Sequence, residues 1–143
     1  MILKSFELAK IKLNNYKFYL FYGDNEGLKE ENIKNLFEKN YPDKIHRYEE
    51  KEILDNINIF FNSVLTKSFF DNEKLIIINR TTDKIRTIIE DLMEKNPEDI
   101  QIILILSVAL LMIMSFSLSK KDLVRTLLKK LLILSNISFS SYL

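Results

Sequence analysis

The residues best suited to chemistry form a short turn with two glycines, a lysine and three carboxylates. They run Gly23, Asp24, Asn25, Glu26, Gly27, Leu28, Lys29, Glu30, where a nucleotide-binding α/β protein carries its phosphate loop. A working loop separates its glycines by four residues and continues with Lys and Ser or Thr, which bind phosphate and magnesium. Here three residues separate the glycines, Leu28 precedes the lysine and Glu30 replaces the hydroxyl. We expect a capped turn that binds no nucleotide or other cofactor.

Other catalytic chemistry has little support. His46 is the only histidine and there is no cysteine, so a histidine-based metal site, a thiolate site or a Ser-His-Asp triad has few candidate residues. We expect His46 to be a partly exposed strand residue, and Glu49 with Glu50 to be the solvated start of a helix. The sequence therefore predicts no catalytic and no metal-binding residue. An enzyme with an unusual nucleotide site stays as a distant alternative.

Phe69 and Phe70 stand side by side between a helical pattern and an apolar run. Two neighbouring aromatics on a connection cannot both point inward easily, so there are two interpretations. Either both cover the core beneath the sheet edge, or one or both fill a pocket on a partner, as aromatic anchors do at interaction hot spots.

The elements around these residues alternate between strands and helices. Strands are predicted at Tyr16 to Tyr22, Lys44 to Tyr48, Lys74 to Asn79 and Ile100 to Leu106. A helix capped by Asp24 or Asn25 is predicted to end before Pro42, and further helices are predicted over Ile53 to Leu65 and over Ile85 to Met93. Met1 to Asn15 is either a short helix, which we favour, or an extended lead-in. This alternation is typical of an α/β domain with a parallel sheet covered by helices on both faces.

Length and composition fit one domain, and the character of the chain changes near its end. The 143 residues carry 21 basic and 20 acidic side chains. A net charge this close to zero does not attract nucleic acid or an anionic membrane to the protein as a whole. We predict that residues 1–106 form the domain and that residues 107–143 form an atypical apolar and basic tail. Ile100 to Ser119 is uncharged, so a small membrane-anchored protein with a span near 102–119 is an alternative function. A basic amphipathic helix over Lys120 to Leu134 is another alternative for the tail.

Two segments carry a resemblance to a known family. An aromatic strand leading into FYLFYGDNEGLKEENI (Phe18 to Ile33) is followed by LTKSFFDNEKLIIINR (Leu65 to Arg80) and an aliphatic fourth strand. Over roughly Met1 to Leu106 the chain resembles the N-terminal domain of the delta subunit of bacterial DNA polymerase III, a component of the clamp loader. The second segment is the more specific, with a small residue, two bulky apolar ones, a polar turn, a basic residue and a hydrophobic strand.

The resemblance implies a RecA-like, AAA+-type domain, similar to P-loop NTPases but without a functional nucleotide site. It implies a cytoplasmic bacterial replication protein that binds and helps to open the sliding clamp and assembles with other clamp-loader subunits. Such a protein meets DNA only through the complex and has no small-molecule substrate. It is not catalytic by itself, although it belongs to a DNA-directed DNA polymerase, a nucleotidyltransferase.

The resemblance also implies the site. Phe69 and Phe70 take the place of the apolar pair that enters a pocket on the clamp, with Ser68 and Lys67 beside them. The family commonly has leucine then phenylalanine, and some relatives have an apolar residue where Lys67 stands. Family members continue beyond the fourth strand into lid and collar domains, which this sequence lacks. We therefore interpret the tail as a truncated or frameshifted end.

Overall fold

The fold was obtained as a computed structural model that describes residues 2–4, 7–8, 16–42, 44–66, 73–106 and 132–135. The strands are β1 (Ile2–Lys4), β2 (Phe18–Tyr22), β3 (Ile45–Glu49), β4 (Lys74–Thr81), β5 (Ile100–Leu106) and β6 (Leu132–Ser135). The helices are α1 (Glu26–Leu36), α2 (Glu50–Asp55), α3 (Ile57–Leu65) and α4 (Arg86–Lys95), with single 3₁₀ turns at Glu38–Asn40 and Asp83–Ile85.

The six described strands form one sheet in the order β1-β6-β2-β5-β4-β3. Every pairing between them is parallel. Strands β2, β4 and β5 are central and nearly continuous in buried apolar residues, as expected of strands covered on both faces. The α/β prediction is confirmed, and the arrangement is consistent with a RecA-like domain.

Alternate residues of the central strands face two separate cores. On one face, Leu20, Ile78 and Leu104 pack in a cluster with residues of α2, α3 and α4. On the other face, Phe21 and Ile77 pack with residues of α1 and the turn that follows it. Helices therefore cover both faces, and the carboxyl ends of all the strands lie at one edge of the sheet.

Two local predictions are wrong. Ile2–Lys4 is a strand and not part of a helix, because it pairs with β6 and this tertiary pairing overrides an ambiguous local pattern. The predicted helix from Ile53 to Leu65 is divided at Asn56, whose φ of −142° and ψ of 59° lie outside the helical region. Asparagine favours such non-helical conformations because its side chain competes for backbone groups.

The last part of the chain contributes a strand to the sheet. Leu132–Ser135 lies between β1 and β2, so the end of the helix predicted over Lys120 to Leu134 is extended. Residues 102–106 of the alternative membrane span belong to β5, and residues 107–119 lie outside the described residues. Within the described part of the chain, no helix has the length and apolar character needed to cross a membrane. The alternative is not favoured, and the division at Leu106 stays a prediction.

Candidate functional site

The turn after β2 has the predicted capped form. Gly23 has a φ of 134°, which side chains rarely adopt, so this position favours glycine. Asn25 is the N-cap of α1, and its Oδ1 accepts a hydrogen bond of 2.9 Å from the amide of Leu28. A Cβ added to Gly27 would meet that Oδ1 at 3.6 Å, an ordinary contact. Only the first of the two glycines is therefore required by the backbone of this turn.

Lys29 stands six residues after Gly23, the spacing at which a phosphate loop places its lysine. Its side chain is directed inward and is 0% exposed. The Nζ atom lies 2.6 Å from Glu26 Oε1 and 3.5 Å from the carbonyl oxygen of Leu106, at the end of β5. Lys29 thus connects the first turn of α1 to the end of β5 through these two contacts.

A cleft of about 450 Å³ lies beside this turn, at the carboxyl ends of β3, β4 and β5. Its lining combines three carboxylates, one side-chain amide, one guanidinium and two apolar residues at the end of β5: Glu26, Glu30, Glu49, Asn79, Arg80, Ile105 and Leu106. Open α/β sheets commonly bind ligands at this edge. Negative charge in the lining opposes a polyphosphate. In residues 16–42, 44–66 and 73–106, as in the shorter described segments, no cluster of His, Cys, Asp or Glu is arranged to hold a metal.

Each carboxylate of the cleft has a cationic neighbour. Glu30 accepts two hydrogen bonds from Arg47, at 3.2 and 3.4 Å, and Arg47 also contacts Glu38. Partial burial lowers the pKa of Arg47, but the hydrogen bonds to the two glutamates outweigh it and the pKa is raised. Arg80, at the end of β4, lies 3.8 Å from Glu49. The charges of the cleft are therefore largely satisfied within the chain.

The predicted clamp-binding residues Phe69, Phe70, Ser68 and Lys67 lie outside the described residues, so their placement stays a prediction. The structure does describe both ends of their segment. Helix α3 ends before its cap Thr66, and β4 begins at Lys74. The Nζ atom of Lys74 donates a 3.3 Å hydrogen bond to the carbonyl oxygen of Thr66. This bond holds the end of α3 close to the start of a central strand.

The chain matches the family model described as DNA polymerase III, delta subunit, over residues 19–137. That range covers more than half of the chain and runs past β5 to include β6. The chain belongs to the DNA polymerase III delta subunit family. No curated protein matches it.

In this delta-family chain the other sequence predictions have mixed outcomes. His46 is exposed on β3, as predicted. Glu50 is buried at 8% exposure, so its predicted place in a solvated helix start is wrong. Its carboxylate accepts hydrogen bonds from Thr82, across the gap between α2 and the end of β4. Glu49 is the N-cap of α2 and forms a reciprocal capping pair with Glu52.

Sequence reasoning missed the exposure of three apolar side chains on α3, those of Ile57, Ile59 and Leu65. Their exposed fractions are 39%, 67% and 36%, and they are the exposed large hydrophobic residues of the described part of the chain. Ile57 and Leu65 were both predicted on the packed face of one helix. Because the chain leaves the helical conformation at Asn56 and again at Thr66, Ile57 and Leu65 are the first and last residues of α3, where a periodic pattern does not ensure burial.

Proposed function

We propose that this delta-family chain is a clamp-loader component that binds the bacterial sliding clamp through Phe69 and Phe70 and favours the open form of the ring. The family match is the observation that carries the proposal. On this proposal the chain works in the cytoplasm as part of the DNA polymerase III holoenzyme. Polymerase catalysis belongs to other subunits of that complex, and an AAA+-type α/β domain provides the scaffold here.

The exposed apolar side chains of α3 support a protein-binding role for the segment that follows. Ile57, Ile59 and Leu65 lie on the helix that leads directly to residues 67–70. Exposed apolar side chains close in sequence to two aromatics are compatible with a partner-binding segment. The α3 side chains Phe60 and Val64 are buried in the core, so the helix that precedes residues 67–70 is held against the sheet.

The energy for ring opening comes from binding in this proposal. Burying two aromatic side chains contributes several kcal/mol, at about 25 cal/mol per Å² of apolar area, before the costs of association. That free energy shifts the clamp towards an open ring only to the extent that the open form is bound more tightly. The ion pair of Lys29 with Glu26 is compatible with a chain that does not use ATP for this step.

The test is the affinity of the full chain for a purified bacterial sliding clamp, measured by surface plasmon resonance. Phe69→Ala/Phe70→Ala is expected to weaken binding at least about thirty-fold, because the loss of even one aromatic hot spot costs about 2 kcal/mol or more. Phe69→Leu is expected to keep most of the affinity, since the family commonly has leucine there. Thermal unfolding of each variant checks that the fold is retained.

Leu28→Ala is the matched control. Leu28 is half-buried on α1, which packs on the opposite face of the sheet from α3, so its truncation should leave clamp affinity unchanged. Equal affinity of the wild type and the double alanine variant would remove the proposed role of the aromatic pair. A wild-type chain with no measurable clamp binding would overturn the proposed function.

A further inference from the structure

We propose that the carboxylate of Glu26 is an internal anion that occupies an anion-binding site centred on the Nζ atom of Lys29. The side chain of Lys29 is fully buried, and its Nζ lies 2.6 Å from Glu26 Oε1. A buried ammonium without an anionic partner costs several kcal/mol. The site therefore needs a negative charge, and the chain supplies its own.

The two partners differ in their access to water. The Lys29 side chain is 0% exposed, whereas that of Glu26 is 57% exposed and lines the 450 Å³ cleft. Glu26 can therefore leave the contact by rotating into solvent, while the ammonium stays inside. When the Glu26 carboxylate is removed, the cleft gives a small anion from solution a direct route to the same position.

The neighbouring carboxylates are poorly placed to replace Glu26. Glu30 is held by Arg47 through two hydrogen bonds, and Glu49 faces Arg80 at 3.8 Å. Both also lie on the cleft, so they limit the site to a small anion and disfavour a nucleotide triphosphate. The carbonyl oxygen of Leu106, at 3.5 Å from Nζ, provides no compensating charge.

The position of Lys29 makes inorganic phosphate the appropriate probe. The residue follows Gly23 by the spacing of a phosphate-loop lysine, and it lies in the first turn of α1, where the helix dipole favours negative charge. Removal of Glu26 should uncover a phosphate site that the wild-type chain keeps closed. The buried lysine, and not the helix terminus alone, defines this site.

The experiment compares thermal unfolding of the full chain in sodium phosphate and in sodium chloride at equal pH and ionic strength. For Glu26→Ala, about 10 mM phosphate should raise the Tm by about 3 °C or more, since a ligand that binds only the folded state stabilises it. The wild type should show no phosphate-specific rise. Glu30→Ala is the matched control, because it removes another cleft carboxylate and leaves Lys29 paired with Glu26.

A second variant separates a site on Lys29 from general phosphate effects. Glu26→Ala/Lys29→Met lacks the cation and should lose the phosphate response. A response of Glu26→Ala no larger than that of the wild type, or one that persists in the double variant, would overturn the proposal. If Glu26→Ala is unfolded in chloride, phosphate should restore its helical circular dichroism signal, and failure to do so counts against the proposal equally.

Discussion

The buried carboxylate of Glu50 binds both the amide and the hydroxyl of Thr82. The amide nitrogen lies 2.7 Å from Oε1, and Oγ1 lies 2.9 Å from each carboxylate oxygen. Glu50 begins α2, directly after β3, and Thr82 follows the end of β4. The contact therefore joins the carboxyl ends of two adjacent strands at the same edge of the sheet as the cleft.

Replacing Glu50 should destabilise the fold more than replacing an exposed glutamate does. Glu50→Ala removes the charged acceptor, so the backbone amide and the hydroxyl of Thr82 both lose their hydrogen bonds to it. This loss should lower the free energy of unfolding by about 2 to 3 kcal/mol. Glu50→Gln keeps one acceptor and should cost less. Urea unfolding followed by circular dichroism measures both, with the exposed Glu31→Ala expected within about 0.5 kcal/mol of the wild type. Equal stability of Glu50→Ala and Glu31→Ala would contradict this interpretation.

The two glycines of the first turn should respond oppositely to alanine. Gly23 has a φ of 134°, so Gly23→Ala should cost about 1 to 3 kcal/mol in backbone strain. Gly27 lies inside α1 with room for a Cβ, and Gly27→Ala should be neutral or stabilise by up to about 1 kcal/mol because alanine favours helix. Urea midpoints of the two variants provide the comparison. A loss of stability in Gly27→Ala as large as that in Gly23→Ala would show that both glycines are structurally required.

The parallel sheet could be predicted because its central strands are bounded clearly in the sequence. Ile100–Leu106 is an aliphatic run after Pro97, and Lys74–Thr81 follows a polar turn. Strand β6 could not be predicted so directly, since its four residues lie in a leucine-rich and serine-rich tail without a distinctive pattern. Its place between β1 and β2 depends on partners distant in sequence.

Some features of the candidate site could likewise be predicted from the sequence and others could not. The altered phosphate loop and the Asn25 cap could be predicted, because they follow from residue types in consecutive positions. The burial of Lys29 and of Glu50 does not, because each depends on a strand end that another part of the chain provides. The exposure of Ile57 and Leu65 could not be predicted from their spacing, because it depends on where α3 begins and ends.

Phe37 should be among the most sensitive core positions on the α1 face. Its side chain is fully buried, and its ring centroid lies 4.7 Å from that of Tyr19 and 6.0 Å from that of Phe21. Phe37→Ala leaves a cavity between α1 and β2 and should cost about 3 to 5 kcal/mol, whereas Phe37→Leu should cost clearly less. Chemical denaturation gives both values, and a cost below 1 kcal/mol for the alanine variant would be inconsistent with this packing.

Ile59 of α3 should contribute to partner binding without stabilising the fold. Ile59 is 67% exposed, so Ile59→Asn should change the free energy of unfolding by less than about 0.5 kcal/mol. If α3 extends the proposed clamp contact, the same variant should weaken clamp binding about three-fold or more. Lys51→Asn, an exposed change on α2, is the control. Unchanged affinity of Ile59→Asn would limit the contact to the segment that follows α3.

Tyr19 should make the protein sensitive to alkali. Burial, followed by the neighbouring Tyr41 and Tyr16, raises the pKa of the Tyr19 phenol well above its ordinary value near 10. Burial and Glu73 also raise the pKa of Tyr41. Above a pH of about 10 the unfolded chain therefore releases these protons while the folded chain retains them, so stability is full below that pH and falls as the pH rises.

Tyr19→Phe should reduce this fall, because the variant has one fewer phenol whose ionisation favours unfolding. Urea unfolding at several pH values between about 8 and 11 tests the effect through the slope of stability against pH. The variant loses the hydrogen bond between the Tyr19 hydroxyl and the backbone of Tyr16, so its stability at neutral pH should be lower by about 1 kcal/mol. Its curve should nevertheless approach that of the wild type as the pH rises. Two parallel curves would show that Tyr19 is not the group responsible.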